Sequence, residues 1–185
     1  MGRKDIKNLQ IAAVLIASII YLGIKSLPFS NHAVAKDEYS YVERVVDGDT
    51  LKLSDGRRVR LIGVDTPEYH YSGKLLKDSR KNHQGIKSIQ ALGKKAYDFT
   101  RRLCEGKKVK LEQDVEMHDK YGRLLAYVYL DDGTFVNARI LEDGYGQVMT
   151  IPPNVKYADR FLQFQKRSRE EGRGLWANRE LKLAE

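Results

Sequence analysis

An α+β fold, mainly β, is predicted by three features of the sequence. Short runs rich in β-branched residues occur at SYVERVV (40–46), TLKLS (50–54), RRVRLIGV (57–64), KKVKLEQDV (107–115) and GRLLAYVYL (122–130). Asp-Gly pairs punctuate them, at Asp47-Gly48, Asp55-Gly56 and Asp132-Gly133, as hairpin turns do. A helical pattern separates the third run from the fourth, and two more follow the fifth. Five strands in that order predict a small Greek-key barrel of the OB type, with about three helices packed on one side.

The chain opens with a different kind of segment. Arg3, Lys4 and Lys7 precede LQIAAVLIASIIYLGI, residues 9–24. An apolar run after a basic start predicts a signal sequence or a short membrane anchor over residues 1–25. No amphipathic stripe marks it as a core helix. Ala33-Val34-Ala35 is a candidate cleavage site, placed far beyond the apolar run. Secretion after cleavage and membrane tethering through residues 9–24 both stay open. Either route puts the domain outside the cell or at its surface. Residues 26–38 then read as a linker, 39–177 as the domain and 178–185 as a tail.

Within the domain, residues 69–87 are polar and read as an irregular loop. Ile89, Leu92, Ala96, Phe99 and Leu103 recur at spacings of three and four, which predicts a helix stopped by Gly106. NARILEDG (137–144) reads as a short helix. NVKYADRFLQFQKRSREEG (154–172) reads as a longer one, capped by Asn154 and stopped by Gly172.

Composition narrows the function. Hydrophobic residues make up 42% of the chain and charged residues 31%, which is a globular composition. The formal net charge is +8. Residues 1–35 hold four basic residues (Arg3, Lys4, Lys7, Lys25) and one acidic (Asp5), so the remainder keeps a surplus of five. A basic domain suits a polyanionic partner: nucleic acid, anionic lipid or acidic polysaccharide. The single cysteine, Cys104, excludes an intrachain disulfide and a multi-thiolate zinc site. It reads as a small core residue. His32, His70, His83 and His118 show no ligand spacing, and neither kind of glycine-rich nucleotide loop occurs.

Two acidic stretches stand out in this basic chain. VVDGDTLKL (45–53) sets Asp47 and Asp49 on either side of Gly48. Asp-Gly there reads first as a turn, because Gly tolerates positive φ and Asp caps its own backbone. VRLIGVDTPE (59–68) sets Asp65 and Glu68 at the end of an apolar strand, with Pro67 fixing the exit. Carboxylates from two strands meeting at one barrel mouth suit a hard divalent cation. Arg60 shares a strand face with Ile62 and Val64 and wants an anionic partner, a carboxylate or a phosphate. Arg123 follows DKYG at the head of another strand. Carboxylates, a metal and two arginines suit phosphoryl chemistry.

VVDGDTLKL, VRLIGVDTPE, DKYGRLLAYVY and the GRGLW that ends at Trp176 resemble, in this order and spacing, the motifs of the staphylococcal nuclease family. The resemblance covers about residues 40–177. It implies an OB-fold barrel and a calcium-dependent endonuclease, with one Ca2+ per domain. The implied reaction is hydrolysis of the 5′ P–O bond in DNA and RNA, single strands preferred, leaving 3′-phosphates. It also implies that Asp49, Asp65 and the Thr66 carbonyl bind the cation, with Asp47 in an outer shell. Glu68 would position or deprotonate the attacking water. Arg60 and Arg123 would grip the scissile phosphate, and Lys120 and Tyr121 would lie beside a terminal phosphate. One departure concerns the base pocket. Where the family's best-known member has two tyrosines, this chain has Thr150 and Pro152, so stacking would either use another aromatic, such as Tyr145 or Tyr157, or be weaker, and base preference would differ. The 69–87 segment carries a net charge of +4 with Tyr69 and Tyr71, and suits contact with a single-stranded backbone. Nothing in the sequence suggests more than a monomer. Two other classes are weighed: a non-catalytic OB-fold nucleic-acid-binding module, and a basic domain for cell-wall or membrane polyanions.

Overall fold

A computed structural model describes residues 38–82 and 85–177. The apolar N-terminal segment, the linker up to Asp37, His83 and the 178–185 tail lie outside the described residues.

The elements run β1 (Glu38–Asp47), β2 (Thr50–Leu53), β3 (Arg58–Leu61), β4 (Gly63–Asp65), α1 (Gly73–Asn82), α2 (Ile86–Cys104), β5 (Lys108–Glu112), β6 (Leu124–Leu130), α3 (Val136–Glu142), β7 (Gln147–Met149) and α4 (Ala158–Glu170), with a final 3₁₀ turn at Gly174–Trp176. Five strands close a barrel in the order β1-β2-β3-β6-β5. All its pairings are antiparallel except β3 with β6, which is parallel, with Val59 opposite Leu124 and Leu61 opposite Ala126. The interior is filled by Val42, Leu51, Leu53, Val59, Leu61, Val109, Ala126 and Val128, all buried. Closure removes the sheet edges that an open five-stranded sheet would expose.

The third predicted strand, 57–64, is two. The chain breaks after Leu61, and Gly63 adopts φ +76°. Its missing side chain leaves room for the Phe161 ring, which would lie 2.6 Å from a Cβ there. β4 then turns away from the barrel and pairs with β7, a three-residue strand too short to read from the sequence. Asn137, fully buried at the start of α3, pins this junction: its Nδ2 donates to Ile62 O (2.9 Å), and its Oδ1 accepts from Val128 N (2.9 Å).

Three helix expectations change. The polar loop holds α1. Its interior offers one fully buried apolar side chain, Leu75, so no helical stripe appears in the sequence. Its start is held by a cap, since Ser72 Oγ accepts from Leu75 N (3.1 Å). The described residues thus hold four α-helices where about three were expected. On α2 the buried face is Ile89, Gly93, Ala96, Thr100 and Cys104. Leu92, Phe99 and Leu103 are only half-buried. Small residues face the barrel, and the larger ones flank the contact. Asn154 does not cap α4, which begins at Ala158. Its side chain bridges the Glu116 backbone, accepting from Glu116 N and donating to Glu116 O, both at 2.8 Å.

Cys104 is a core residue, as expected. It is fully buried, its Sγ donates to Thr100 O (3.2 Å), and burial pushes its thiol up to about 12. Among the described residues, no helix is long and apolar enough to cross a membrane.

Candidate active site

The hairpin between β1 and β2 places the first acidic pair. Asp47 pairs with Thr50, leaving Gly48 and Asp49 as the turn. Gly48 is not among the positive-φ glycines. It is needed for close approach: a Cβ there would lie 2.7 Å from Thr66 Oγ1. Thr100 of α2 donates its hydroxyl to Gly48 O (2.7 Å) from the other side. The turn is thereby clamped between the chain after β4 and the helix.

Asp49 is buried, 5% exposed, and every contact to its carboxylate comes from a donor. Oδ1 accepts from Thr50 Oγ1 (3.0 Å). Oδ2 accepts from Thr66 N (2.9 Å) and Thr66 Oγ1 (3.2 Å). Arg60 Nη1 lies 2.9 Å from the same Oδ2. Burial alone would raise the carboxyl, but Arg60, Lys74 and these donors outweigh it and hold it below the ordinary carboxylate range. Asp47 goes the other way. Burial, with the Asp49 charge beside it, pushes it up to about 7, although Gly48 N donates to its Oδ1 (2.8 Å). The two aspartates of one turn are therefore electrostatically distinct.

Arg60 is the hub of the cluster. It is 8% exposed. Nη1 donates to Val64 O (2.7 Å), and Nη2 donates to Asp65 Oδ1 (3.1 Å). The guanidinium thus ties Asp49 to Asp65 from behind, through its rigid fork. Of the two partners open from the sequence, the carboxylates are the ones it holds here.

A second cation meets the same acidic groups from the front. Lys74 on α1 places Nζ 2.8 Å from Asp65 Oδ1, 3.1 Å from Thr66 O and 3.0 Å from Glu68 Oε1. Burial alone would lower its pKa, but Asp65, Asp49 and Glu68 raise it above the ordinary lysine value. Glu68 is also held by Ser72, whose hydroxyl donates to Oε2 (2.9 Å). Behind Glu68 runs α2. At Gly93 a Cβ would come within 2.5 Å of Glu68 O and 2.6 Å of Tyr69 N, so only glycine lets the helix support this backbone.

The structure therefore brings Asp47, Asp49, Arg60, Asp65, Thr66 and Glu68 together at one end of the barrel. Arg123 is not part of this cluster. It donates through Nε to Asp119 Oδ2 (2.6 Å), within the turn that precedes β6. Lys120 and Tyr121 lie exposed on that turn, with Lys120 Nζ 5.1 Å and Arg123 Cζ 5.6 Å from the Tyr121 ring. The aromatics suggested for base stacking are engaged elsewhere. Tyr145 stacks on Phe99 (centroids 4.2 Å apart), and Tyr157 packs against Tyr127 and Phe135 while donating its hydroxyl to Glu112. Next to Glu68 lies a different aromatic group: Tyr69 meets His70 at 4.6 Å and Tyr97 at 5.3 Å, and Tyr71 is exposed.

Sequence reading missed Lys74, Ser72 and Gly93. Only Gly93 carried a signal, as an isolated glycine inside a helical pattern, which implies a packing reason.

The donor set suits a hard cation. Among the described residues, no three His, Cys, Asp or Glu side chains converge as a metal cluster. Two carboxylates and a carbonyl do converge, and their oxygens already surround a positively charged nitrogen. Oxygen ligands of this kind are those of hard divalent cations.

Comparisons with known proteins give the family. The family described as staphylococcal nuclease homologue matches residues 58–178. The thermonuclease of Staphylococcus hyicus is 36% identical over 173 residues, 91% of this chain and 94% of its own length. The thermonuclease of Staphylococcus intermedius is 36% identical over 179 residues, 94% of this chain and 98% of its own length. The endonuclease YncB of Bacillus subtilis is 33% identical over 141 residues, 74% of this chain and 60% of its own length. With its barrel, its acidic mouth and these relatives, the chain belongs to the staphylococcal nuclease family.

Proposed function

We propose that this chain is a nuclease: an exported or membrane-tethered, calcium-dependent endonuclease that hydrolyses phosphodiester bonds of DNA and RNA. The thermonuclease and endonuclease names of its relatives support the activity. The observation that carries the reading is the convergence of Asp65, the Thr66 carbonyl and Glu68 on one positive charge, with Asp49 tied to the same cluster through the buried Arg60.

Asp49, Asp65 and the Thr66 carbonyl would hold calcium, with Asp47 outside them. When bound, the ion offsets charge on a phosphate oxygen. Glu68 takes a proton from the attacking water; Ser72 and the Gly93 contact fix where its carboxylate can reach. Arg60, already desolvated, meets the charge that grows on the phosphoryl oxygens without further reorganisation. Arg123 adds a second guanidinium once the strand lies across the Asp119 turn, where Lys120 and Tyr121 would lie beside a terminal phosphate. Cleavage of the 5′ P–O bond leaves a 3′-phosphate. The basic 69–87 segment and the aromatics beside Glu68 favour single strands, where bases are free to stack. The apolar run at residues 9–24 supports export, and weak calcium sites of about 10⁻⁴–10⁻³ M suit an extracellular setting.

The test uses the full-length chain with single-stranded DNA and RNA, in calcium or in chelator. Calcium-dependent loss of polymer is expected. Glu68→Gln is expected to lower turnover by roughly a hundredfold or more, while substrate binding persists. Binding without cleavage by the unsubstituted chain would favour a nucleic-acid-binding module. Turnover by Glu68→Gln equal to wild type would overturn the role given to Glu68.

A further inference from the structure

The ammonium of Lys74 rests on oxygens assigned to other tasks. It donates to Asp65 Oδ1 (2.8 Å) and Thr66 O (3.1 Å) and forms an ion pair with Glu68 Oε1 (3.0 Å). Two of these belong to the groups proposed to hold the divalent cation, and the third to the group proposed to act on water. A cation on Asp65 and Thr66 and an ammonium on the same atoms exclude one another, both by volume and by charge.

We propose that Lys74 is a tethered counter-cation of the site, which a divalent cation must displace before the site is loaded; this rests on the calcium reading above. The geometry of α1 suits an exchangeable group. The Lys74 side chain is 36% exposed, against 10% for Arg60, and its four-carbon stem is flexible. The helix is anchored at its base by buried Leu75 and capped by Ser72, so the ammonium can leave without unfolding what carries it. A receiver lies one turn along: Asp78, four residues on, is within electrostatic reach of Lys74. Ser72 retains Glu68 Oε2 throughout, so displacement frees one Glu68 oxygen for water and keeps the other fixed. Lys74 thereby sets the calcium concentration at which the site fills, and keeps the carboxylates neutralised below it.

Two measurements on the full-length chain test this. Calorimetric titration with calcium is expected to give tighter binding for Lys74→Ala and Lys74→Gln, by roughly fivefold or more, the lower end of couplings between ligands that compete. Lys74→Arg keeps the charge and is expected to stay near wild type. Independently, acylation of wild-type lysines followed by peptide mass spectrometry should find Lys74 protected in chelator and several times more reactive in saturating calcium. Equal calcium affinity in wild type and Lys74→Gln, or Lys74 reactivity unchanged by calcium, would overturn the role of Lys74 alone. Failure of every variant to bind calcium would overturn the cation site beneath it. Calcium binding without cleavage would overturn the nuclease reading and leave Lys74 standing.

Discussion

Asp65 Oδ1 is held by two cations of opposite character. Arg60 comes from β3, in the barrel wall, and ties Asp49, Val64 and Asp65 together from a buried position. Lys74 comes from α1, a helix outside the barrel among whose described side chains Leu75 is the fully buried one, and reaches the same oxygen from the solvent side. One is framework and the other is exchangeable. The difference shows how a site can be rigid and still open: permanent charge compensation sits behind the carboxylates, and the replaceable charge sits where a ligand arrives.

The largest test removes the framework cation. Arg60→Ala leaves Asp49 buried beside no guanidinium, and unpairing a buried charge costs on the order of 3–5 kcal/mol. Urea denaturation in chelator should show that loss, and turnover should fall with it. A denaturation midpoint equal to wild type would mean that Arg60 is not framework. The middle test loosens the exchangeable side. Leu75→Ala removes the buried anchor of α1, a change worth about 2–5 kcal/mol in a core. Here it should appear as faster hydrogen exchange confined to residues 73–82, with the barrel midpoint little changed. Loss of the barrel along with α1 would show that the two regions are one cooperative unit. The smallest effect is expected from Ser72→Ala, which removes a cap worth about 1 kcal/mol and the tie on Glu68. Turnover should drop by more than α1 stability accounts for, and equal, small losses in both would reduce Ser72 to a cap.

The barrel side of this comparison was legible in the sequence, and the helical side was not. Asp49, Asp65 and Glu68 were exposed by local signals, a two-residue turn and a proline exit, that depend on few neighbours. Arg60 is legible as a charge in apolar company, and the fold adds its ties to Asp49 and Asp65. Lys74 sits in a polar run whose helix rests on one leucine and a serine cap, too little to produce a hydrophobic period. Of the expected α2 stripe, Ile89 and Ala96 are buried, while Leu92, Phe99 and Leu103 give way to Gly93, Thr100 and Cys104, because close approach to the Glu68–Tyr69 backbone and to the Gly48 turn favours small side chains. Asn154 looked like a helix cap because capping is what an isolated Asn usually offers. Its use by Glu116 depends on a residue 38 positions away. The split at Gly63 is hidden inside the uncharged stretch 61–64, which reads as the end of one strand.

The clamp on the Asp49 turn bears on when the site comes into being. Thr100 holds Gly48 across 52 residues of chain, and Asn137 holds Ile62 across 75. Strand β1 meets β5 only after α2 has been made. Contacts of that sequence separation form late, because loop closure precedes any reward from them. A growing chain that has yet to present Asn137 therefore has the acidic residues but no assembled pocket. Its hydrolytic capacity arrives as a final product of folding, which gives the polypeptide a latent interval during its own synthesis.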